Sequence, residues 1–166
     1  MVLVGAPGSG KTTVGRALAR ALGTEFRDTD ADVELLAGKS ISDIFLEAGE
    51  PAFRDLETQA LATALIECSG VLALGGGAVL REENRTLLET QPVVWLDVTL
   101  ADAVERVGLA TARPVLVGNV RGRMMELLQQ RAPFYAAVAK LRISTHERKP
   151  SEIAQDIHDS LGALSA

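Results

Sequence analysis

Residues 5–12 read Gly5-Ala6-Pro7-Gly8-Ser9-Gly10-Lys11-Thr12, a complete G-x-x-x-x-G-K-[ST] phosphate-binding loop. Ahead of it, the apolar run Met1 to Val4 has the length and β-branched content of a buried strand. Behind it, Thr13 to Leu22 sets Val14, Leu18, Ala21 and Leu22 on one helical face. A loop between a strand and a helix is the context this motif requires. Gly8, Ser9 and Gly10 let backbone N–H groups converge on phosphate oxygens, and Lys11, Thr12 and Thr13 open a helix whose N-terminus adds the positive end of its dipole. Lys11 is expected to reach the β- and γ-phosphates, and the Thr12 hydroxyl to bind Mg²⁺. A Gly-rich turn that binds nothing is the rival reading, and the flanking strand and helix argue against it.

The bulk properties bound the class. A chain of 166 residues, 47% hydrophobic and 23% charged, suits one globular domain with a sizeable core and is too short for two full ones. A net charge of -5 gives no electrostatic reason to expect nucleic-acid binding, so any cluster of arginines should serve a small anionic ligand. Cys68 is the only cysteine, which rules out an internal disulfide, and it is expected to be inert. With two histidines there is no Cys/His metal cluster to propose. No apolar run approaches the roughly 18 residues of a membrane span, and no basic segment leads into one. Neither a membrane nor secretion is indicated, and a cytoplasmic location is the default expectation.

Along the chain, apolar segments alternate with amphipathic helices, the pattern of a parallel α/β sheet. Candidate strands are Val2 to Val4, Glu25 to Arg27, Val71 to Leu74, Val93 to Asp97 and Arg142 to Ser144. Ser40-Ile41-Ser42-Asp43 resembles a capping box opening a short helix that Gly49 would stop. Glu50 to Glu67 then carries Phe53, Leu56, Ala60, Leu61 and Leu65 at helical spacing. The stretch from Gly108 to Gly122 has weak periodicity, glycines at its ends and Arg113 in its middle, as expected of a mobile lid that closes over a nucleotide.

Three further elements carry chemistry. Asp28-Thr29-Asp30 falls at the C-terminal end of the second strand, the edge where parallel sheets bind ligands; if the strand geometry persists, period-two alternation sets both carboxylates on one side. One could then face Mg²⁺ and the other a substrate hydroxyl, the alternative being a helix cap. Arg54 and Glu57 stand at i, i+3 in Phe53-Arg54-Asp55-Leu56-Glu57, which is either an oriented guanidinium or an ordinary surface pair. Val71 to Leu74 ends in Gly75-Gly76-Gly77 where a Walker B motif would place an aspartate. The glycines either admit a ligand to the backbone or make a tight turn. The missing acid leaves Asp28 as the natural metal carboxylate.

Taken in order, these residues resemble the shikimate kinases over nearly the whole chain. The resemblance rests on the phosphate loop, Asp28-Thr29-Asp30, Gly38-Lys39-Ser40-Ile41 through Ile44-Phe45 to Gly49-Glu50, Phe53-Arg54 with Glu57, and Gly75-Gly76-Gly77. The lid pair Arg113-Pro114 and Arg131-Ala132-Pro133 with Tyr135 complete the set. It implies a three-layer P-loop kinase fold with a five-stranded parallel sheet flanked by helices, in one domain over 1–166. The phosphate loop would be 5–12, the substrate-binding segment about 28–57 and the lid about 108–122. The implied reaction moves the γ-phosphoryl of ATP to the 3-hydroxyl of shikimate, on the route to chorismate and the aromatic amino acids, in a monomer whose only partners are small molecules. Carried over by residue, Asp30 would contact the shikimate hydroxyls including the acceptor, Arg54 and Arg131 the carboxylate, and the glycines 75–77, through Gly76, a hydroxyl. Lys11 and Arg113 would act on the transferred phosphoryl, Thr12 and Asp28 would lie near Mg²⁺, and Arg106, Arg148 and Pro150 would surround adenine.

The chain departs from the family pattern in two places. Leu109-Ala110-Thr111-Ala112 lacks the glycine and asparagine often seen in the lid, and the interval from Arg113 to Arg131 is about a residue short. Its start almost on the first strand suggests a few trimmed native residues. Two rivals remain at this level. A gluconate kinase would share the loop but not the pairing of Phe53-Arg54 with the three glycines. A catalytically silent nucleotide-binding module should have lost Lys11 or Asp30, and both are present.

Overall fold

The computed structural model describes residues 1–110 and 119–164. β1 (Val2–Val4) leads through the phosphate loop into α1 (Lys11–Leu22); β2 (Phe26–Asp28), α2 (Thr29–Ala37) and the long α3 (Ile41–Glu67) follow. β3 (Val71–Ala73) passes through a 3₁₀ turn at Ala78–Leu80 into α4 (Glu82–Leu88), and then come β4 (Val93–Asp97) and α5 (Leu100–Ala110). α6 (Val120–Val138), β5 (Leu141–Ser144) and α7 (Pro150–Leu164) complete the chain. The five strands form one parallel sheet in the order β2-β3-β1-β4-β5, with Val2 of β1 opposite Leu72 on one side and Val93 on the other. The parallel α/β sheet is the one expected from the alternation of apolar and amphipathic segments, and its five strands flanked by helices are what the resemblance implies.

Period-two alternation splits β1 between two cores. Val2 and Val4 join Leu61, Ala64, Met124 and Tyr135 on the face covered by α3 and α6. Leu3 joins Val14, Leu18, Ile153 and Ile157 on the face covered by α1 and α7. All three β1 side chains are buried, which accounts for the continuously apolar reading of a central parallel strand.

Several boundaries move. β2 runs one residue later than expected because Glu25 joins the ladder only through its carbonyl, which accepts from Val71 N–H at 2.9 Å. β5 begins at Leu141, and β3 ends at Ala73 although Leu74 N–H still donates to the Leu3 carbonyl at 3.1 Å. Helix α1 starts at Lys11, two residues early. The expected capping box is present, with Ser40 Oγ accepting from Asp43 N–H at 3.1 Å. Gly49 interrupts α3 at φ 79°, ψ 176°, so its two halves meet at the expected break.

Asp28-Thr29-Asp30 does not stay extended, and the helix-cap alternative is the one observed. Asp28 ends β2 and its side chain caps α2 by accepting from Asp30 N–H at 3.1 Å, so Asp30 is already helical. The lid segment is only partly visible: Leu109 and Ala110 close α5, while Thr111 to Gly118, Arg113 included, lie outside the described residues. Among the described residues no helix is long and apolar enough to cross a membrane.

Candidate functional site

The C-terminal edge of the sheet gathers almost every residue singled out above. Gly10 caps α1 in the left-handed region without any side-chain hydrogen bond, and the first turn of the helix carries no acid. Its leading N–H groups are therefore free to meet an anion. Gly8 has φ 80°, and a Cβ there would lie 3.1 Å from the backbone of Ala103 in α5, so the loop can run this close to α5 only as glycine. Lys11 folds its ammonium over the loop, donating to the Gly5 carbonyl at 2.8 Å and the Ala6 carbonyl at 3.1 Å. Burial lowers its pKa to about 8, against the opposing pull of Asp30 and Asp28.

Thr12 donates its hydroxyl to Asp28 Oδ2 at 3.0 Å. This tie joins the start of α1 to the end of β2 and gathers a hydroxyl and a carboxylate beside the loop. A hard-oxygen pair of that kind suits a cation that keeps several waters and takes its remaining ligands from phosphate. Among the described residues no group of three or more His, Cys, Asp or Glu could hold a metal by itself. A cavity of about 430 Å³ runs from the loop to Asp28, Asp30, Leu74 and Gly76.

The three glycines form the hub of the site. A Cβ on Gly75 would lie 2.6 Å from Asp30 Oδ1 and 2.8 Å from Glu57 Oε1, and one on Gly76 would lie 3.3 Å from Arg131 Nη1 and 3.1 Å from Pro7. At Gly77 it would collide with the Arg54 guanidinium. The triad makes the tight turn, with Ala78 N–H donating to the Gly75 carbonyl and Leu80 N–H to the Gly77 carbonyl, both at 3.0 Å, and its three positions lie against Asp30 and Glu57, then Arg131, then Arg54. Arg54 is 12% exposed at its side chain, donates to Glu57 Oε2 at 2.6 Å and Glu50 Oε1 at 3.1 Å, and lies 5.1 Å from the Phe53 ring centre. Its pairing with Glu57 is a buried one rather than a surface pair.

Both acids are held toward protonation. Burial is the first cause for Asp30, reinforced by Asp28 and opposed by Lys11. Burial is also first for Glu57, opposed by the hydrogen bond from Arg54. Glu57 Oε1 is buried with no hydrogen-bond partner among the described residues, an acceptor facing the triad.

A second groove of about 200 Å³ lies beside the loop, lined by Ser9, Gly10, Thr13, Arg106, Thr145, Arg148 and Pro150 among others. Arg106 donates to the Gly8 carbonyl at 3.1 Å and the Thr145 carbonyl at 3.2 Å, while Arg148 donates to Asp156 Oδ2 at 2.5 Å. Pro150 is the first residue of α7. Asp102 faces both Arg106 at 3.7 Å and His146 Nδ1 at 2.9 Å, and its hydrogen bond raises the His146 pKa.

Two residues in this network were not assigned a role by sequence reasoning. Thr29 is buried between the two aspartates; its hydroxyl accepts from Gly75 N–H at 3.2 Å and reaches the Ala73 carbonyl at 3.4 Å, fastening the acidic element to the triad. Tyr135 donates to the Gly76 carbonyl at 2.5 Å from 59 residues away. Its place in Arg131-Ala132-Pro133 with Tyr135 was the only signal, and nothing in the spacing gave the partner.

Comparison with known proteins agrees with this geometry. The sequence model of the shikimate kinase family matches residues 7–162. The shikimate kinase of Salinispora tropica is 58% identical over 156 residues, 94% of this chain and 93% of that protein, and that of Thermobifida fusca is 54% identical over 162 residues, 98% and 94%. The structure of the Acinetobacter baumannii shikimate kinase in complex with shikimate superposes with a TM-score of 0.90 at 35% identity, covering 98% of this chain and 93% of that one. A family match that begins inside the phosphate loop and ends within α7, with relatives more than half identical along both lengths, leaves one conclusion: the chain belongs to the shikimate kinase family.

Proposed function

We infer that this chain is a phosphotransferase that moves the γ-phosphoryl of ATP to the 3-hydroxyl of shikimate, releasing ADP and shikimate 3-phosphate. The observation that supports this reading best is the triad, whose three positions abut a carboxylate, one arginine and then a second. Shikimate is a small acid with hydroxyls, and it needs a guanidinium clamp at one end and hydroxyl readers at the other. Arg54 and Arg131 would hold the carboxylate while Asp30 and the triad backbone take hydroxyls. A gluconate kinase reading does not explain two arginines converging on adjacent glycines.

In the reaction, the acceptor oxygen bonds to the γ-phosphorus as the bond to the β–γ bridging oxygen breaks, and the acceptor proton passes to Asp30. Such transfers ask chiefly for alignment and for positive charge across the equatorial oxygens. Lys11 and the α1 N-terminus supply charge from the loop side, and Arg113 from the lid at 108–122. Thr12 and Asp28 fit Mg²⁺, which would neutralise charge on the β- and γ-phosphates when bound. Arg106, Arg148 and Pro150 would line the adenine groove. The unit we propose is one cytoplasmic domain, monomeric, with a substrate segment over 28–57 and no nucleic-acid or membrane partner. A coupled assay of ADP release over a panel of hydroxy acids tests the substrate: release should depend on shikimate, and equal release with gluconate would reject the reading.

A further inference from the structure

Tyr135 sits in the core face under α6, 2% exposed and with its ring 5.8 Å from that of Trp95. A phenylalanine would pack there equally well. The hydroxyl is what stands out, because it reaches out of an apolar cluster to the Gly76 carbonyl at 2.5 Å and also interacts with Arg131, one helical turn earlier on α6. Burial pushes the phenol pKa up to about 12, so it remains a donor.

The partner carbonyl matters. In a trans peptide the C=O and N–H point opposite ways, so fixing the Gly76 carbonyl toward α6 directs the Gly77 N–H away from it. Neither the Gly76 nor the Gly77 N–H has a hydrogen-bond partner among the described residues. A glycine peptide without this anchor has wide freedom to rotate. We propose that Tyr135 is a positioning residue for the acceptor substrate: its hydroxyl locks the Gly76–Gly77 peptide and the Arg131 guanidinium into one arrangement, so that a carboxylate and a neighbouring hydroxyl meet both together. This rests on the shikimate-site reading given above. Tyr135 is absent from the lining of the groove beside Arg106 and Arg148, so its effect should fall mainly on the acceptor substrate.

The test is Tyr135→Phe, which keeps the ring and its packing. Losing one hydrogen bond of about 0.5–1.5 kcal/mol net predicts that shikimate KM rises roughly 2- to 12-fold while ATP KM stays within about twofold. In the Arg131→Ala background the same change should raise shikimate KM less than in the wild type, because the two groups act through one arrangement. An unchanged shikimate KM with a lowered Tm would make the hydroxyl purely structural and overturn the proposal, as would equal rises in both KM values. Arg131→Ala alone separates the two claims. If it raises shikimate KM while Tyr135→Phe does not, only the tyrosine proposal fails; if it too leaves shikimate KM unchanged, the site reading fails and the proposal with it.

Discussion

At the scale of single residues, charge and burial pull against each other at Lys11 and Asp30. The Lys11 ammonium, with its pKa lowered to about 8 by burial, would be drawn back to full protonation by a polyphosphate beside it. ATP binding somewhat above pH 8 should therefore take up protons, and ATP affinity should decline as pH rises through that range. Calorimetry in two buffers of different ionisation enthalpy reads the uptake directly; zero uptake would contradict this account of Lys11. Asp30 carries the opposite shift, a carboxyl whose pKa is raised by burial. Its folded form binds the proton more tightly than the unfolded chain does, so its contribution to stability is greatest below the unfolded carboxylate pKa and is lost as pH rises through the folded value. Asp30→Asn should lower kcat by at least about 10²-fold, the range of a positioned acid or base, yet raise Tm at neutral pH. The Tm gain should vanish in acid. A variant that lost both activity and Tm would make Asp30 a structural residue. Lys11 and Thr12 were legible in the sequence because the loop motif fixes their spacing, and Asp28 because it ends a strand at the edge where parallel sheets bind ligands. Thr29 and Tyr135 were not, since their partners lie 46 and 59 residues away, and local pattern carries no information about such pairs.

At the scale of elements, α3 and the triad form one device. Glu57 and Glu50 hold Arg54 from the helix, and Gly77 leaves room for the guanidinium. A carboxylate held by Arg54 does not change charge during phosphoryl transfer, so Arg54→Ala should raise shikimate KM with a smaller loss of kcat and little change in ATP KM. Gly77→Ala should reproduce that profile without touching the arginine, because a methyl there displaces the same group. Arg113, in the proposed lid, would meet charge that is arranged only in the closed state, so Arg113→Ala should lower kcat far more than it raises shikimate KM. Identical profiles for Arg54→Ala and Arg113→Ala would refute this division. Sequence periodicity gave the helices of this device and the Gly49 break between the halves of α3. It left Asp28-Thr29-Asp30 open between a strand end and a helix cap, because a strand that ends in a capping aspartate looks extended until the helix it starts is seen.

At the scale of the whole molecule, a parallel sheet buried on both faces holds the candidate site residues at one edge. Leu3, fully buried at the centre of β1, packs against α1 and α7 directly behind the phosphate loop. Leu3→Ala should cost about 2–5 kcal/mol of unfolding free energy, read by denaturant titration, while leaving KM values near wild type in the protein that remains folded. The sheet order could be anticipated only as a class, because the alternation of strand and helix does not say which strand lies beside which. The central claim concerns the reaction itself, and nuclear magnetic resonance of the product tests it most directly. Incubated with ATP and shikimate, the protein should yield ADP and a single new phosphomonoester whose phosphorus couples to the proton on carbon 3. A phosphorus coupled to the proton on carbon 4 or 5, or free phosphate with shikimate unchanged, would contradict it.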